Sequence, residues 1–223
     1  MAMEWRVVLV GPENPLNVGF VARAMKSFGV EELVVAGSAW KTVPDEARIT
    51  GVSAPEILKG TKFVNGLEDA LRGCGTAIAF SRRPTDLRQS EITLPALPAS
   101  LSLKGKTALV FGRESKGLTR AETALCPHLA RIPNRNGISL NLGQAVAVAL
   151  FSLTATNGES KDELHTASLD RMNAMWEYIH PKLAASPRFT QERQMRVRQL
   201  IYRLNLSDTD YDVLFSVMKA ISK

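Results

Sequence analysis

An α/β fold built on a mostly parallel sheet, with a small C-terminal helical extension, is what the 223-residue sequence predicts. Three observations carry this. Short β-branched apolar runs alternate with stretches of helical period, the pattern of strand–crossover–strand units. The runs are apolar throughout, as befits strands covered on both faces. From residue 156 to 168 the composition turns polar (TNGESKDELHTAS), and only helical patterns follow it. The expected division is a sheet domain over residues 1–157 and a linker with helices over residues 158–223.

Taken in order, residues 6–10 (RVVLV) form the first strand, ended by Gly11 and Pro12. Residues 15–28 follow as a helix. Val18, Val21, Ala22, Met25 and Phe28 recur at spacings of three and four, and Gly29 stops it. Residues 33–36 are the second strand. Ser53-Ala-Pro-Glu56 reads as a capping box before a short helix, and Asn65-Gly-Leu-Glu68 opens another running to about Arg72. Residues 76–80 (TAIAF) are a strand, SRRPTDLRQ a polar loop, and residues 94–103, with two prolines and no period, a further loop. Residues 107–111 (TALVF) and 129–132 are strands, with a capping box at Thr119-Arg-Ala-Glu122 between them. In the tail, residues 169–179 and 191–204 are helical, and Ser207-x-x-Asp210 caps a last helix through Ile221.

Composition narrows the function classes. At 45% hydrophobic the chain can build a sizeable core, and no apolar run reaches membrane-spanning length uninterrupted. The start, MAMEWRVVLVG, has no signal-peptide pattern. Cys74 and Cys126 offer no disulfide framework, and with His128, His165 and His180 no metal spacing, so no metal is expected. A cytoplasmic protein is the default. The formal charge of +6 is compatible with a nucleic-acid partner without requiring one.

Three stretches hold the candidate chemistry. Residues 132–153 (IPNRNGISLNLGQAVAVALFSL) pass from a sharp turn to an apolar helix, whose hydrophobic side chains on nearly every face predict that it is buried all round. Ser139 and Asn141 stand at its mouth, either as plain caps or as ligand-holding groups beside unpartnered N–H groups. Asn17-Val-Gly-Phe-Val-Ala-Arg23 places Gly19 and Arg23 on one helix face. That glycine marks close packing or a ligand's approach, and Arg23 could equally be a solvated arginine. Phe111-Gly-Arg-Glu-Ser-Lys-Gly-Leu118 brackets a charged loop with glycines after a buried strand, where open α/β sheets bind ligands. It lacks P-loop spacing, and no G-x-G-x-x-G follows the first strand, which disfavours a nucleotide-dependent oxidoreductase.

Together the N-x-G-x-x-x-R, F-G-x-E-x-x-G-L and S-L-N pieces resemble the TrmH/SpoU group of SPOUT RNA 2′-O-ribose methyltransferases. The resemblance covers about the first 155 residues. LVGPENPLNVGFVARAMKSFG and, more loosely, the tail RVRQLIYRLNLSDTDYDVLFSVMKAI are most similar to the TrmJ branch, which methylates the tRNA anticodon loop at nucleotide thirty-two. The resemblance implies a deep trefoil knot, a homodimer with the knot helices at its interface, and no DNA or membrane partner. It implies S-adenosyl-L-methionine held by the loops at Phe80, Ser81, Gly112, Ile132, Ser139 and Leu140. Arg23 would be the central catalytic residue, with Asn17, Glu114, Ser139 and Asn141 around it.

The family proposal makes that arginine a general base. Lowering a guanidinium pKa from about 13 to near 7 costs roughly 8 kcal/mol. A clamp on phosphate and on developing alkoxide charge is physically easier. One departure stands out: Asn136-Gly-Ile138 occupies the place where familiar bacterial TrmJ proteins carry a tyrosine. The tail adds six basic residues between Lys182 and Arg203 against Glu192, which with Arg82, Arg83 and Arg88 form either an RNA-contacting surface or solvated faces. Rival readings are the same chemistry on ribosomal RNA, and an RNA-binding homologue without catalysis.

Overall fold

A computed structural model describes residues 4–81, 91–94, 105–133, 138–154, 167–204 and 206–221. The expected loops at 81–89 and 94–103 and the polar linker fall almost wholly outside the described residues. The strands are β1 (Glu4–Val10), β2 (Glu32–Ala36), β3 (Lys62–Val64), β4 (Thr76–Phe80), β5 (Glu91–Thr93), β6 (Lys106–Phe111) and β7 (His128–Arg131). They make one sheet in the order β3-β2-β1-β6-β4-β7-β5. Every pairing is parallel, as the uninterrupted apolar runs require.

The helices are α1 (Pro15–Ser27), α2 (Glu46–Thr50), α3 (Pro55–Lys59), α4 (Leu67–Leu71), α5 (Arg120–Ala124), α6 (Leu142–Thr154), α7 (Leu169–Ala184), α8 (Gln191–Arg203) and α9 (Asp208–Ile221). Local chemistry sets the ends of α1. Asn14 caps it by accepting from the Leu16 N–H at 3.0 Å, Pro15 opens it, and Gly29, at φ +68°, turns the chain away. The Thr119–Glu122 capping box of α5 is formed in both directions. The box expected at Ser53 is not. Ala54 occupies the cap position and Pro55 begins the helix, so Ser53 lies one residue too early to cap it.

Strand alternation divides the interior into two cores. Val7 and Leu9 of β1 point into one, with Val18, Val21 and Met25 of α1 and Val146, Leu150 and Leu153 of α6. Val8 and Val10 point into the other, with Leu71 and with Met172, Met175 and Trp176 of α7. Burying a leucine such as Leu9 or Leu150 stabilises by about 1.5–3 kcal/mol. The C-terminal helices therefore cover one face of the sheet. The Leu169 N–H donates to the Cys74 carbonyl at 3.3 Å, and Arg198 pairs with Glu68 of α4 at 2.8 Å.

Two expectations need correcting. Helix α6 is not buried all round: Val148 is 38% exposed and Phe151 61%. Three short elements, α2, β3 and β5, were not expected from periodicity. Helix α2 explains Gly19, because a Cβ there would lie 2.1 Å from the Ala47 carbonyl oxygen and 2.2 Å from Thr50 Oγ1. Of the two readings open for that glycine, close packing is the one the fold uses.

Candidate active site at the C-terminal edge of the sheet

The turn after β1 feeds α1 on one face of the sheet, while the chain after β6 enters the opposite core through Leu118 and Leu125. Adjacent parallel strands whose connections part in this way open a crevice at their C-terminal ends. A cleft lies along that edge, and Phe80, Ser81, Gly112, Ile132, Ser139 and Leu140, the six expected cofactor contacts, all line it. On its floor the Phe80 and Phe111 rings stack at 4.6 Å with 9° between their planes. Glu114, Ser115 and Lys116 form a wall.

Beside the cleft, three of the five expected catalytic residues join in one hydrogen-bonded chain. Glu114 accepts from Asn17 Nδ2 at 2.8 Å, and from the N–H groups of Glu13 at 2.9 Å and Asn14 at 3.2 Å. With its amide nitrogen facing that carboxylate, Asn17 turns its Oδ1 outward, where it accepts from Asn141 Nδ2 at 2.8 Å. Asn141 Oδ1 in turn accepts from the Gly143 N–H at 2.9 Å. Asn17 is buried, so an amide without these partners would be costly there.

Asn141 caps its helix, as one of the two readings had it, and also makes a long-range contact. Its Oδ1 and the Gln144 side chain, which accepts from the Asn141 N–H at 3.2 Å, form a cap for α6. Its amide nitrogen meanwhile reaches across to α1. Gly143 permits that approach, since a Cβ there would lie 2.6 Å from Phe20 Cβ.

The other two residues stand apart from this chain. Ser139 is exposed on the cleft wall. Arg23 is exposed, does not line the cleft, and has no ion-pair partner among the described residues. Six residues beyond Asn17, it sits about 9 Å further along α1 and about 120° around it.

Some of the site was not signalled by the motifs. Arg113 makes a paired contact with Glu122, at 3.0 Å to each oxygen, behind the wall. Burial acts to raise the Glu122 carboxyl, but Arg113 prevails and holds it below its ordinary value. Glu13 accepts from both the hydroxyl and the N–H of Ser115, at 2.6 and 3.0 Å. Those bonds hold its carboxyl below the usual range. An acidic residue in the turn before α1 was the available signal. Gly112 also serves the loop: a Cβ there would fall 2.2 Å from the Gly117 carbonyl carbon.

Several basic groups of the tail are engaged within the protein. Arg196 pairs with Glu192 and Arg198 with Glu68, each at 2.8 Å, and Arg193 donates to the Arg188 carbonyl. Arg82, Arg83 and Arg88 lie outside the described residues. No described helix is long and apolar enough to cross a membrane.

Residues 4–151 match the model of the SpoU rRNA Methylase family. A Pseudomonas aeruginosa relative, tRNA (cytidine/uridine/adenosine-2′-O-)-methyltransferase TrmJ, is 30% identical, covering 98% of this chain and 93% of its own. A Methanocaldococcus jannaschii relative, tRNA (cytidine-2′-O-)-methyltransferase TrmJ, is 37% identical over 152 residues, 66% of each chain. The crystal structure of TrmJ from Z. mobilis shares the fold at a TM-score of 0.85, covering 98% of this chain and 99% of that one at 22% identity. Carrying the asparagine, glutamate and S-L-N positions of the resemblance at one edge of a parallel sheet, the chain belongs to the SpoU methylase family, in its TrmJ-like branch.

Proposed function

We propose that the chain transfers a methyl group from S-adenosyl-L-methionine to a ribose 2′-hydroxyl of tRNA, at nucleotide thirty-two of the anticodon loop as its TrmJ likeness implies. The observation that carries this is the Glu114–Asn17–Asn141 chain beside a cleft lined by strand ends. The residues present fit the methyl donor. Stacked Phe80 and Phe111 offer an apolar floor for a purine, and Ser81, Ser139 and the backbone at Gly112 and Ile132 offer polar partners. When bound, the donor supplies an electrophilic methyl on a sulfonium.

The protein's part is orientation and charge. Glu114 accepts three hydrogen bonds, which suits it to fixing Asn17 rather than to removing a proton. Asn17 and Asn141 fix the mouth of α6, where Ser139 faces the cleft and can meet the ribose. The donor would supply the methyl carbon that the ribose 2′-oxygen takes up, and the hydroxyl proton would leave to solvent. Arg23 clamps the neighbouring phosphate and stabilises alkoxide charge.

The exposed position of Arg23 fits a site completed in a homodimer. Phe20, at 42% exposure, lies on α1 between Asn17 and Arg23, and the exposed Phe151 packs edge-on against Phe28. A second copy covering this α1–α6 face brings Arg23 to the interface. The segment from β7 into α6 is the part that the family likeness ties into a knot.

Labelled S-adenosyl-L-methionine, offered with bulk tRNA and separately with ribosomal RNA, tests the reading. Label on a ribose of the tRNA anticodon loop is the expected result. Label only in ribosomal RNA moves the substrate, and donor binding without transfer to either RNA favours the non-catalytic rival.

A further inference from the structure

The turn after β1 and the tip of the loop after β6 hold each other by exchanged carboxylates. Glu114, from the β6 loop, accepts the backbone N–H groups of Glu13 and Asn14 in the β1 turn. Glu13, from the β1 turn, accepts the backbone N–H and the hydroxyl of Ser115 in the β6 loop. Each loop thus supplies the acid that satisfies the other's donors, three N–H groups and one hydroxyl, through four hydrogen bonds of 2.6–3.2 Å. Carboxylates held by several such donors are strongly oriented.

The base of the β6 loop is tied separately. Arg113 and Gly117 exchange backbone hydrogen bonds at 2.8 and 3.3 Å, and Arg113 is held by Glu122. Those ties stop short of the tip at residues 114–116, which forms the cleft wall. Gly117, at φ +67°, ends that tip, so its setting depends on contacts from outside the loop. Glu13 provides one such contact, and it reaches no lining position itself.

We propose that Glu13 is a positioning residue for the methyl donor: through Ser115 it sets the 114–116 wall of the cleft and, with it, the carboxylate that orients Asn17. This rests on the methyltransferase reading above. The role needs both acceptor oxygens of Glu13, because the Ser115 N–H and O–H each occupy one.

The test is calorimetric titration of the full-length protein with S-adenosyl-L-methionine, alongside tRNA binding and thermal unfolding. Glu13→Ala removes both bonds and is expected to raise the donor Kd about tenfold, the loss of one or two charge-assisted hydrogen bonds. Ser115→Ala removes only the hydroxyl bond, with an expected rise of roughly threefold. Glu13→Gln keeps one acceptor oxygen and should fall between wild type and Glu13→Ala. Affinity for tRNA stays unchanged.

A merely structural Glu13 would lower the unfolding temperature and leave the donor Kd of the folded protein as it was. That result, or a Glu13→Ala variant with wild-type donor affinity, overturns the proposal. Wild-type protein that binds no donor is a different outcome: it overturns the methyltransferase reading, and the role of Glu13 with it.

Discussion

Arg6, near the start of β1, and Gly11, just past its end, mark opposite edges of the sheet, and the structure treats charge differently around each. At the N-terminal end, Arg6 donates to the carbonyls of Ala70 and Arg72 at 2.8 and 2.7 Å and pairs with Glu32 at 3.0 Å. Glu32 also takes Lys106 at 2.9 Å and Lys62 at 3.1 Å. Burial works to raise the Glu32 carboxyl, but the bonds from Arg6, Lys106 and Lys62 prevail and hold it at about 2. At the C-terminal end the Glu114–Asn17–Asn141 chain is just as well paired inside, yet it finishes at a cleft with Ser139 and Lys116 exposed on its walls. One network closes on itself and the other opens to a ligand. That difference, rather than the number of charges, marks the functional edge.

The largest expected effect would sharpen the contrast from the closed end. Glu32→Leu strands Arg6 and Lys106 without their carboxylate and should cost about 3 kcal/mol in urea unfolding. Donor affinity of the folded protein should not change. At the open end, Asn17→Ala should lower the methyl-transfer kcat about a hundredfold, near 2.7 kcal/mol. Its cost in stability should be smaller, about 1–2 kcal/mol from the unpaired Glu114 and Asn141. If Asn17→Ala loses stability but keeps its rate, the two ends do not differ in the way argued.

Gly19→Ala probes packing away from both networks. Its Cβ would meet the backbone of α2, at an expected cost of about 2 kcal/mol, with donor affinity retained by the folded fraction. An effect confined to acid pH belongs to His128, whose burial pushes its pKa down to about 4. A depressed folded value means stability present above the unfolded value near 6.5 and lost as pH falls toward 4. The slope is at most about 1.4 kcal/mol per pH unit. His128→Gln should flatten the stability profile between those pH values. The Glu32 contribution, lost between about 4.5 and 2 as the same sign argument requires, should remain.

How much of this is legible in the sequence depends on element length and on partners. The parallel sheet shows in runs such as RVVLV and TALVF because strands buried on both faces leave an apolar block. Helix α2 has five residues and β3 and β5 three each, too few to display a period. Met172, Met175 and Trp176 reveal an apolar helix face, but only the fold shows that this face covers β1. Motif spacing brings out Asn17, Glu114 and Asn141. It cannot show that Asn141 both caps α6 and holds Asn17, because that depends on how closely α1 and α6 approach at Gly143. Glu13 leaves no trace beyond its acidity, since its partner lies 102 positions away.

The most direct test of the contrast is amide hydrogen exchange with and without S-adenosyl-L-methionine. Protection is expected in peptides covering residues 80–81, 112–117 and 138–142, with no change around Arg6, Glu32 and Lys106. Protection confined to the Arg6–Glu32 end would contradict the assignment of the C-terminal edge as the donor site.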